Sequence, residues 1–389
     1  MSRRSKSPHK AASSSAPVGD AGVLAGQAIT AGARGGAVTS KALFAFVAKQ
    51  GDLGGKIIGV EIDQTPRKAG ASSGTVLFEA QVQTENGTRA LPLVFRYDLG
   101  GAFFKQYALA PQFWTMRAVH ASGFPLPKPL WLDEAGEVAG HPGMIMQRVR
   151  GAAPTITPFN DGPLMAVGPA ERRTMLLNAA RTLARLHSVD PRAVSHLDAR
   201  GEGASFIARD VNWVLFELRH TVNPLRTGPK AAFYNHASET LERIARYLLS
   251  EAPDRPPELA HGDANITNFM YDGVEVAALL DYELSHIGLG EADLGYQLAG
   301  FSHFRLLAPP VDGVPSDEEM VDAYASVRGK LADWPYARLM GEWRHATFAT
   351  MGMTRLPPEL AHVERAYWDA AVERMHRIAP DVVAMERAP

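Results

Sequence analysis

Apolar positions fall into two regimes along the chain. Between residues 75 and 149 they occur in short β-branched or aromatic runs, and beyond residue 171 they recur every three or four positions. In the first regime Thr75–Val82 (TVLFEAQV) and Leu91–Tyr97 (LPLVFRY) read as strands, and Asn86-Gly87 between them is a hairpin signal. Lys41–Lys49 ahead of them reads as a short helix. Pro111–Ser122 carries Phe113, Met116 and Ala118 or Val119 on one face, which predicts a helix. Pro125, Pro127 and Pro129 end it by forcing extended backbone. Leu130–Leu132 and Met144–Val149 add two strands. In the second regime Arg172–Ser188 places Leu176, Leu177, Ala180, Leu183 and Leu186 on one helical stripe. Ala232–Leu249, Asp317–Leu331 and the segments around Trp343 and Trp368 look alike, and no internal repeat is visible. The expected architecture is α+β and bilobal: a small β-rich N-lobe at residues 37–147 and a larger, mostly helical C-lobe at 148–389.

Residues 1–36 stand apart. They are rich in Ser, Ala and Gly, with a basic cluster at Arg3, Arg4, Lys6 and Lys10. Such a segment buries too little apolar surface to offset its ordering entropy, so a disordered tail is expected. The Arg3-Arg4 pair invites an export-signal reading, but Val23–Thr30 is too short and mixed for a signal core. The whole chain, 46% hydrophobic and 21% charged with a net charge of −2, has an ordinary globular composition. It gives no support for a nucleic-acid partner, which usually leaves a basic face. The absence of cysteine excludes disulfides and thiolate metal centres. No run of about 18 apolar residues exists, so no membrane span is expected and a cytoplasmic location is.

The chemistry concentrates in one stretch. His261-Gly262-Asp263-Ala264-Asn265-Ile266-Thr267-Asn268 leads into the strand-like Val274–Leu280 and then Asp281-Tyr282-Glu283. Phosphoryl transfer requires a carboxylate that orients or deprotonates the attacking hydroxyl. It also requires hard oxygen ligands for Mg²⁺, which neutralises charge developing on the phosphates. A kinase catalytic loop has the form H-x-D-x-x-x-x-N, with a second aspartate at the end of a short hairpin. Asp263 and Asn268 stand five residues apart, and Asp281 follows 13 residues after Asn268. Each residue alone is an ordinary turn former; the joint arrangement points to catalysis.

With these motifs the chain resembles the aminoglycoside phosphotransferase-like, or choline-kinase-like, small-molecule kinases. It is most similar to the branch whose kinase-like domains are fused to acyl-CoA dehydrogenases. That branch reads HGD-x-x-x-x-N and then LDWE-L-x-x-x-G-x-x-x-x-DL. Here His261–Asn268, Leu280-Asp281-Tyr282-Glu283-Leu284, Gly288 and Asp293-Leu294 match it, with Tyr282 in place of the tryptophan. The resemblance runs from about Gly70 to Arg355 and includes Phe206–Trp213, Ala323-Tyr324 and Trp343-Arg344. It implies a protein-kinase-like fold and an ATP-dependent kinase acting on a hydroxylated small molecule. Asp263 would then be the catalytic base, and Asn268 and Asp281 the Mg²⁺ ligands. Glu283 would either support the metal shell or stay solvated, while His261 and Asp293 would position the loop. Hydroxyacyl-CoA, aminoglycoside, macrolide and choline-like acceptors all fall within the resemblance. Trp213, Phe216 and Trp343 suggest an apolar acceptor pocket, although aromatics at helical spacing serve a core equally well.

For the nucleotide, Gly70-Ala71-Ser72-Ser73-Gly74 precedes a strand, and small residues there let backbone N–H groups approach phosphates. Gly70, Ser72, Ser73 and Gly74 are therefore candidate ATP contacts. Arg96 occupies the place where kinases carry a phosphate-pairing lysine, with Lys105 a weaker candidate. Gln147 and Val149 resemble the hinge to which adenine hydrogen-bonds. The family pairs its phosphate-binding cation with a helix glutamate, where this chain has Gln112, the nearest partner for Arg96 by pattern. Gln112 keeps open the alternative of a nucleotide-binding pseudokinase, against which Asp263, Asn268 and Asp281 argue. Gly70–Gly74 also matches G-x-S-x-G, so a serine hydrolase using Ser72 is a further alternative. That elbow needs a helix after the turn, and Thr75–Val82 reads as a strand.

Overall fold

The computed structural model describes residues 38–51, 53–63, 73–100, 103–106, 108–356 and 361–384. The expected tail at 1–36, and Gly70 and Ser72, lie outside them. Helix α1 (Ser40–Gln50) starts at Thr39, whose Oγ1 accepts from the Ala42 N–H at 3.1 Å, as an N-cap residue does. It lays Leu43, Phe46 and Val47 against a five-stranded sheet. The strands are β1 (Lys56–Ile62), β2 (Ser73–Thr84), β3 (Gly87–Asp98), β4 (Pro129–Asp133) and β5 (Gly143–Gln147), ordered β1-β2-β3-β5-β4 with antiparallel neighbours. In the β2–β3 hairpin Thr84 opposes Gly87, so Glu85 and Asn86 form the turn and Gly87 takes φ +112°. Phe78, Val82, Leu93, Phe95 and Ile145 fill the core between this sheet and α1.

Helix α2 (Leu109–Ala121) follows β3, and its Phe113, Met116 and Val119 belong to a second, larger core. That core is built by helices α3 (Pro169–Leu186), α4 (Phe206–Val222), α5 (Ala231–Ser250), α6 (Glu291–Leu306), α7 (Asp317–Arg328), α8 (Trp334–Met353) and α9 (Ala361–Ile378). Short strands β6 (Glu258–Ala260), β7 (Phe269–Asp272), β8 (Glu275–Leu279) and β9 (His286–Gly288) pair as β6–β9 and β7–β8. Helices α6 and α8 pack unusually close. A Cβ on Gly341 would meet the Ala292 carbonyl oxygen and the Tyr296 nitrogen, each at 2.4 Å. No helix among the described residues is long and apolar enough to cross a membrane.

Two histidines sit inside the α6–α8 interface. The rings of His303 and His345 lie 5.8 Å apart. Removal from water, with Arg374 nearby, lowers His303 to about 4; removal from water, then His303 and Arg374, hold His345 well below its ordinary value. Both fold as neutral rings, so the unfolded chain takes up their protons first, near pH 6.5. Their effect is absent above that pH. Stability is expected to fall as pH drops from about 6.5 toward 4, by at most about 1.4 kcal/mol per pH unit for each histidine. Asp263, raised by burial, acts in the opposite sense, so the comparison is sharpest in an Asp263→Asn background. Urea midpoints measured on either side of pH 6 check this, and a flat midpoint would contradict it.

Candidate active site

The loop between β6 and β7 is fixed from several sides. His261 is fully buried; its Nδ1 accepts the Asp263 N–H at 3.3 Å, which leaves Nε2–H to donate to the Leu280 carbonyl at 2.8 Å. Gly262 has φ +82°, and a Cβ there would lie 2.1 Å from the Leu284 carbonyl oxygen, so no other residue fits. The carboxylate of Asp293, in the first turn of α6, accepts the His261 N–H at 2.6 Å and the Gly262 N–H at 3.0 Å. His187 Nε2 lies 3.0 Å from the same carboxylate. Burial alone would raise Asp293, but its bond to His187 and the nearby His187, His261 and His286 outweigh that and bring it to about 2.

Asn268 donates through Nδ2 to both the Asp263 carbonyl and Asp263 Oδ2, each at 2.9 Å. Its amide is thereby oriented with Oδ1 as the atom left for a cation. The Leu280 N–H bonds the Asn268 carbonyl at 2.8 Å, and the β7–β8 ladder pairs Phe269 with Leu279. This hairpin brings Asp281 beside Asn268. Asp281 has φ 63° and ψ 71°, the one non-glycine residue with positive φ among those described; such conformations cost about 1–3 kcal/mol and collect at functional sites. Asp263 is pushed above its ordinary carboxylate range by burial; Asp281 adds to this, while His261, Tyr296 and Asn268 oppose it.

Arg96 reaches this corner from β3. Its Nη2 lies 2.7 Å from Asp281 Oδ1 and 3.5 Å from Glu283 Oε2, and its Nε donates to Ser73 Oγ at 2.7 Å. Gln112 is therefore not its partner. The Gln112 amide is buried in α2, bonds only the Ala108 carbonyl at 3.5 Å, and its Oε1 has no partner among the described residues. The guanidinium goes where two carboxylates offer charge-assisted bonds that a neutral amide cannot match.

A cleft of about 740 Å³ opens beside Arg96 and Asp281, within the range of sites that enclose small molecules. Thr75, Val94, Met146, Gln147, Val149, Met270 and Leu280 are among the residues that line it. The N–H groups of Gln147 and Arg148 bond the Lys128 and Pro92 carbonyls, whereas the Val149 main chain makes no hydrogen bond among the described residues. Ser73 and Gly74 begin β2 and do not line the cleft: Ser73 holds Arg96, and Gly74 makes room for the Tyr97 ring, 2.5 Å from where its Cβ would lie. Lys105 is also outside it. Its N–H and that of Gln106 are held by the Glu217 carboxylate of α4 at 2.7 and 2.9 Å. The residues after Ser72 form a strand, which removes the helix a serine-hydrolase elbow requires.

A charged layer that sequence reasoning missed supports the loop. Asp210 of α4 pairs with Arg344 of α8, His286 Nε2 lies 3.3 Å from its other oxygen, and Arg344 Nε donates to the Gly262 carbonyl at 3.1 Å. Arg200 donates to the Leu284 and Ser285 carbonyls and stacks on Trp213, 3.4 Å from the ring centroid. Trp213, Phe216 and Trp343 do not converge: Trp343 is wholly buried, with Nε1 bonded to the Leu241 carbonyl at 2.9 Å, and Phe216 is exposed against His220. No periodicity signals such partnerships, because they join elements distant in sequence.

A strand-rich lobe over a helical one, with an H-x-D-x-x-x-x-N loop and an aspartate-bearing hairpin at the end of the cleft between, defines a protein-kinase-like phosphotransferase. Residues 81–341 match the Phosphotransferase enzyme family, and the chain belongs to it. It is 27% identical over 299 residues to acyl-CoA dehydrogenase family member 11 of Pongo abelii, covering 72% of this chain and 35% of that protein. The chain thus spans about a third of the length of that relative. A provisionally assigned aminoglycoside phosphotransferase from Ralstonia eutropha jmp134 has the same fold, with TM-score 0.61 at 20% identity, covering 89% of this chain and 99% of that one. A thermostable mutant of aminoglycoside phosphotransferase APH(4)-Ia, in ternary complex with AMP-PNP and hygromycin B, superposes with TM-score 0.51 at 14% identity, covering 89% of this chain and all of that one.

Proposed function

We propose that the protein transfers the γ-phosphoryl group of ATP to a hydroxyl of a small molecule, with Mg²⁺ as cofactor. The observation that carries this is the convergence of Asp263, Asn268 and Asp281 at the end of the cleft that Arg96 also enters. The similar fold that holds AMP-PNP beside hygromycin B supports reading the cleft as a nucleotide site. Adenine would meet the Val149 main chain and Gln147 in the cleft lining, with the phosphates directed toward Arg96. The donor set suits Mg²⁺. No group of three or more His, Asp or Glu side chains that could cage a metal exists among the described residues, and Mg²⁺ is characteristically held by one or two protein oxygens plus phosphates and waters. Asn268 Oδ1 and Asp281 would hold it, and it would neutralise charge developing on the phosphates.

Asp263 accepts the proton of the acceptor hydroxyl as that oxygen bonds to the γ-phosphorus. The bond from phosphorus to the β,γ-bridging oxygen breaks, and the electron pair leaves with ADP. Burial raises the affinity of Asp263 for that proton, which favours a base. Arg96 screens the phosphates, and Ser73 fixes its guanidinium. Screening hydroxylated metabolites for ATP-dependent phosphorylation tests the reading; ADP production that no acceptor stimulates, and that persists in Asp263→Ala, would sink it. For the metal, Asp281→Ala is expected to weaken ATP affinity about tenfold or more when Mg²⁺ is present and little when it is absent. Calorimetric titrations with and without Mg²⁺ decide it, and equal affinities in Mg²⁺ would count against the role.

A further inference from the structure

The two carboxylates that hold Arg96 differ in their place. One atom, Nη2, lies 2.7 Å from Asp281 Oδ1 and 3.5 Å from Glu283 Oε2, while Nε donates to Ser73 Oγ. Arg96 and Asp281 both line the cleft, and neither Glu283 nor Ser73 does. The Asp281 side chain is 29% exposed and that of Glu283 only 11%. A molecule in the cleft therefore meets the Arg96–Asp281 contact directly, whereas the contacts to Glu283 and Ser73 are made by residues outside the lining. The carboxylate that Arg96 engages there is also one of the two side chains proposed for Mg²⁺.

We infer that Arg96 competes with a divalent cation for Asp281, so that the protein takes up metal and nucleotide as a unit rather than metal alone. The inference rests on the kinase reading, in which Asp281 is a metal ligand. A carboxylate has two oxygens, so Arg96 on Oδ1 does not block the group outright. It does neutralise the group, and it sets a positive charge close to any cation bound there. Even at the dielectric of water, a unit charge about 4 Å from a dication weakens its binding about tenfold or more. A polyphosphate reverses this balance. Its oxygens offer the guanidinium charge-assisted bonds as good as those of Asp281. Arg96 turns to them while Ser73 and Glu283 keep their hold on it, and Asp281 is released to the cation. Metal and nucleotide binding are thus coupled through one side chain, and the coupling is reciprocal.

The test uses the full chain and Mn²⁺ as probe, a dication that favours oxygen ligands and whose free form is read by electron paramagnetic resonance. Without nucleotide, Arg96→Met is expected to raise Mn²⁺ affinity about tenfold or more over wild type. With ATP present, the same variant should bind the Mn-ATP complex more weakly than wild type does. Arg96→Gln, which keeps a donor for Ser73, is expected to show the same two opposite shifts. Arg96→Lys keeps the charge and should leave Mn²⁺ affinity within about threefold of wild type. Adding Asp281→Ala to Arg96→Met should cancel the gain. Mn²⁺ affinity unchanged or lowered in both neutral variants would overturn the inference. So would a gain that survives Asp281→Ala, or an equal gain in Arg96→Lys. The kinase reading fails on a different observation, Mn-ATP affinity that is the same in wild type and in the single variant Asp281→Ala.

Discussion

Asp263→Ala is expected to remove phosphoryl transfer by at least about 10²-fold, and up to about 10⁴-fold, while nucleotide affinity stays nearly unchanged. The size follows from what a positioned general base contributes. The separation of effects follows from the geometry, since Asp263 bonds Asn268 and stands outside the cleft lining. Asp263→Asn keeps the shape and removes only the basic oxygen, so it should be as inactive as alanine with less disturbance of the loop. Steady-state ADP release and nucleotide titration on the two variants measure this. A loss below about tenfold in both would rule out the base and would favour a nucleotide-binding protein without turnover.

The largest effect on stability is expected at Asp210. Its carboxylate is buried between Arg344 and His286. Burial alone would raise it, and Arg344, followed by His286, outweighs the burial and holds it well below the usual range. Asp210→Ala leaves the Arg344 guanidinium in the interior without its counter-charge, a change that typically costs about 3–5 kcal/mol. Arg344 also donates to the Gly262 carbonyl, so the damage should pass into the catalytic loop and lower activity as well. Asp210→Leu combined with Arg344→Met should cost much less, because no unpaired charge remains. Urea denaturation of the three variants gives the comparison, and an Asp210→Ala cost below about 1 kcal/mol would show that water reaches the site.

What could be read from the sequence was local. Asp263 and Asn268 lie on one loop, and the hairpin that returns Asp281 to them is signalled by the apolar run Val276–Leu280. The β2–β3 hairpin and the amphipathic helices were equally legible, since each is a periodic pattern ending in a turn former. Strand β1, KIIGVEI, was not, because Gly51, Gly54, Gly55 and Gly59 around and within it disguise its alternation as turn. The partner of Arg96 was misread for a different reason. A helix residue at the family's position was the natural choice, yet the guanidinium found carboxylates 185 and 187 positions away. Glu217 holding the Lys105 and Gln106 N–H groups, and Asp210 holding Arg344, are of the same kind: charges that pair through space leave no pattern along the chain.

The reach of Arg96 also ties activity to the order in which the chain folds. The Asp263–Asn268 bond closes a loop of a few residues, whereas the Arg96–Asp281 contact closes one of 185, and contacts of long sequence separation form late and slowly. During refolding the helical part can therefore regain its hydrogen bonds, and even its catalytic loop, before the strand-bearing part docks onto it. In the proposed reading nucleotide binding would draw on both, so it would return only with that last step and serve as a built-in report that the two parts have docked.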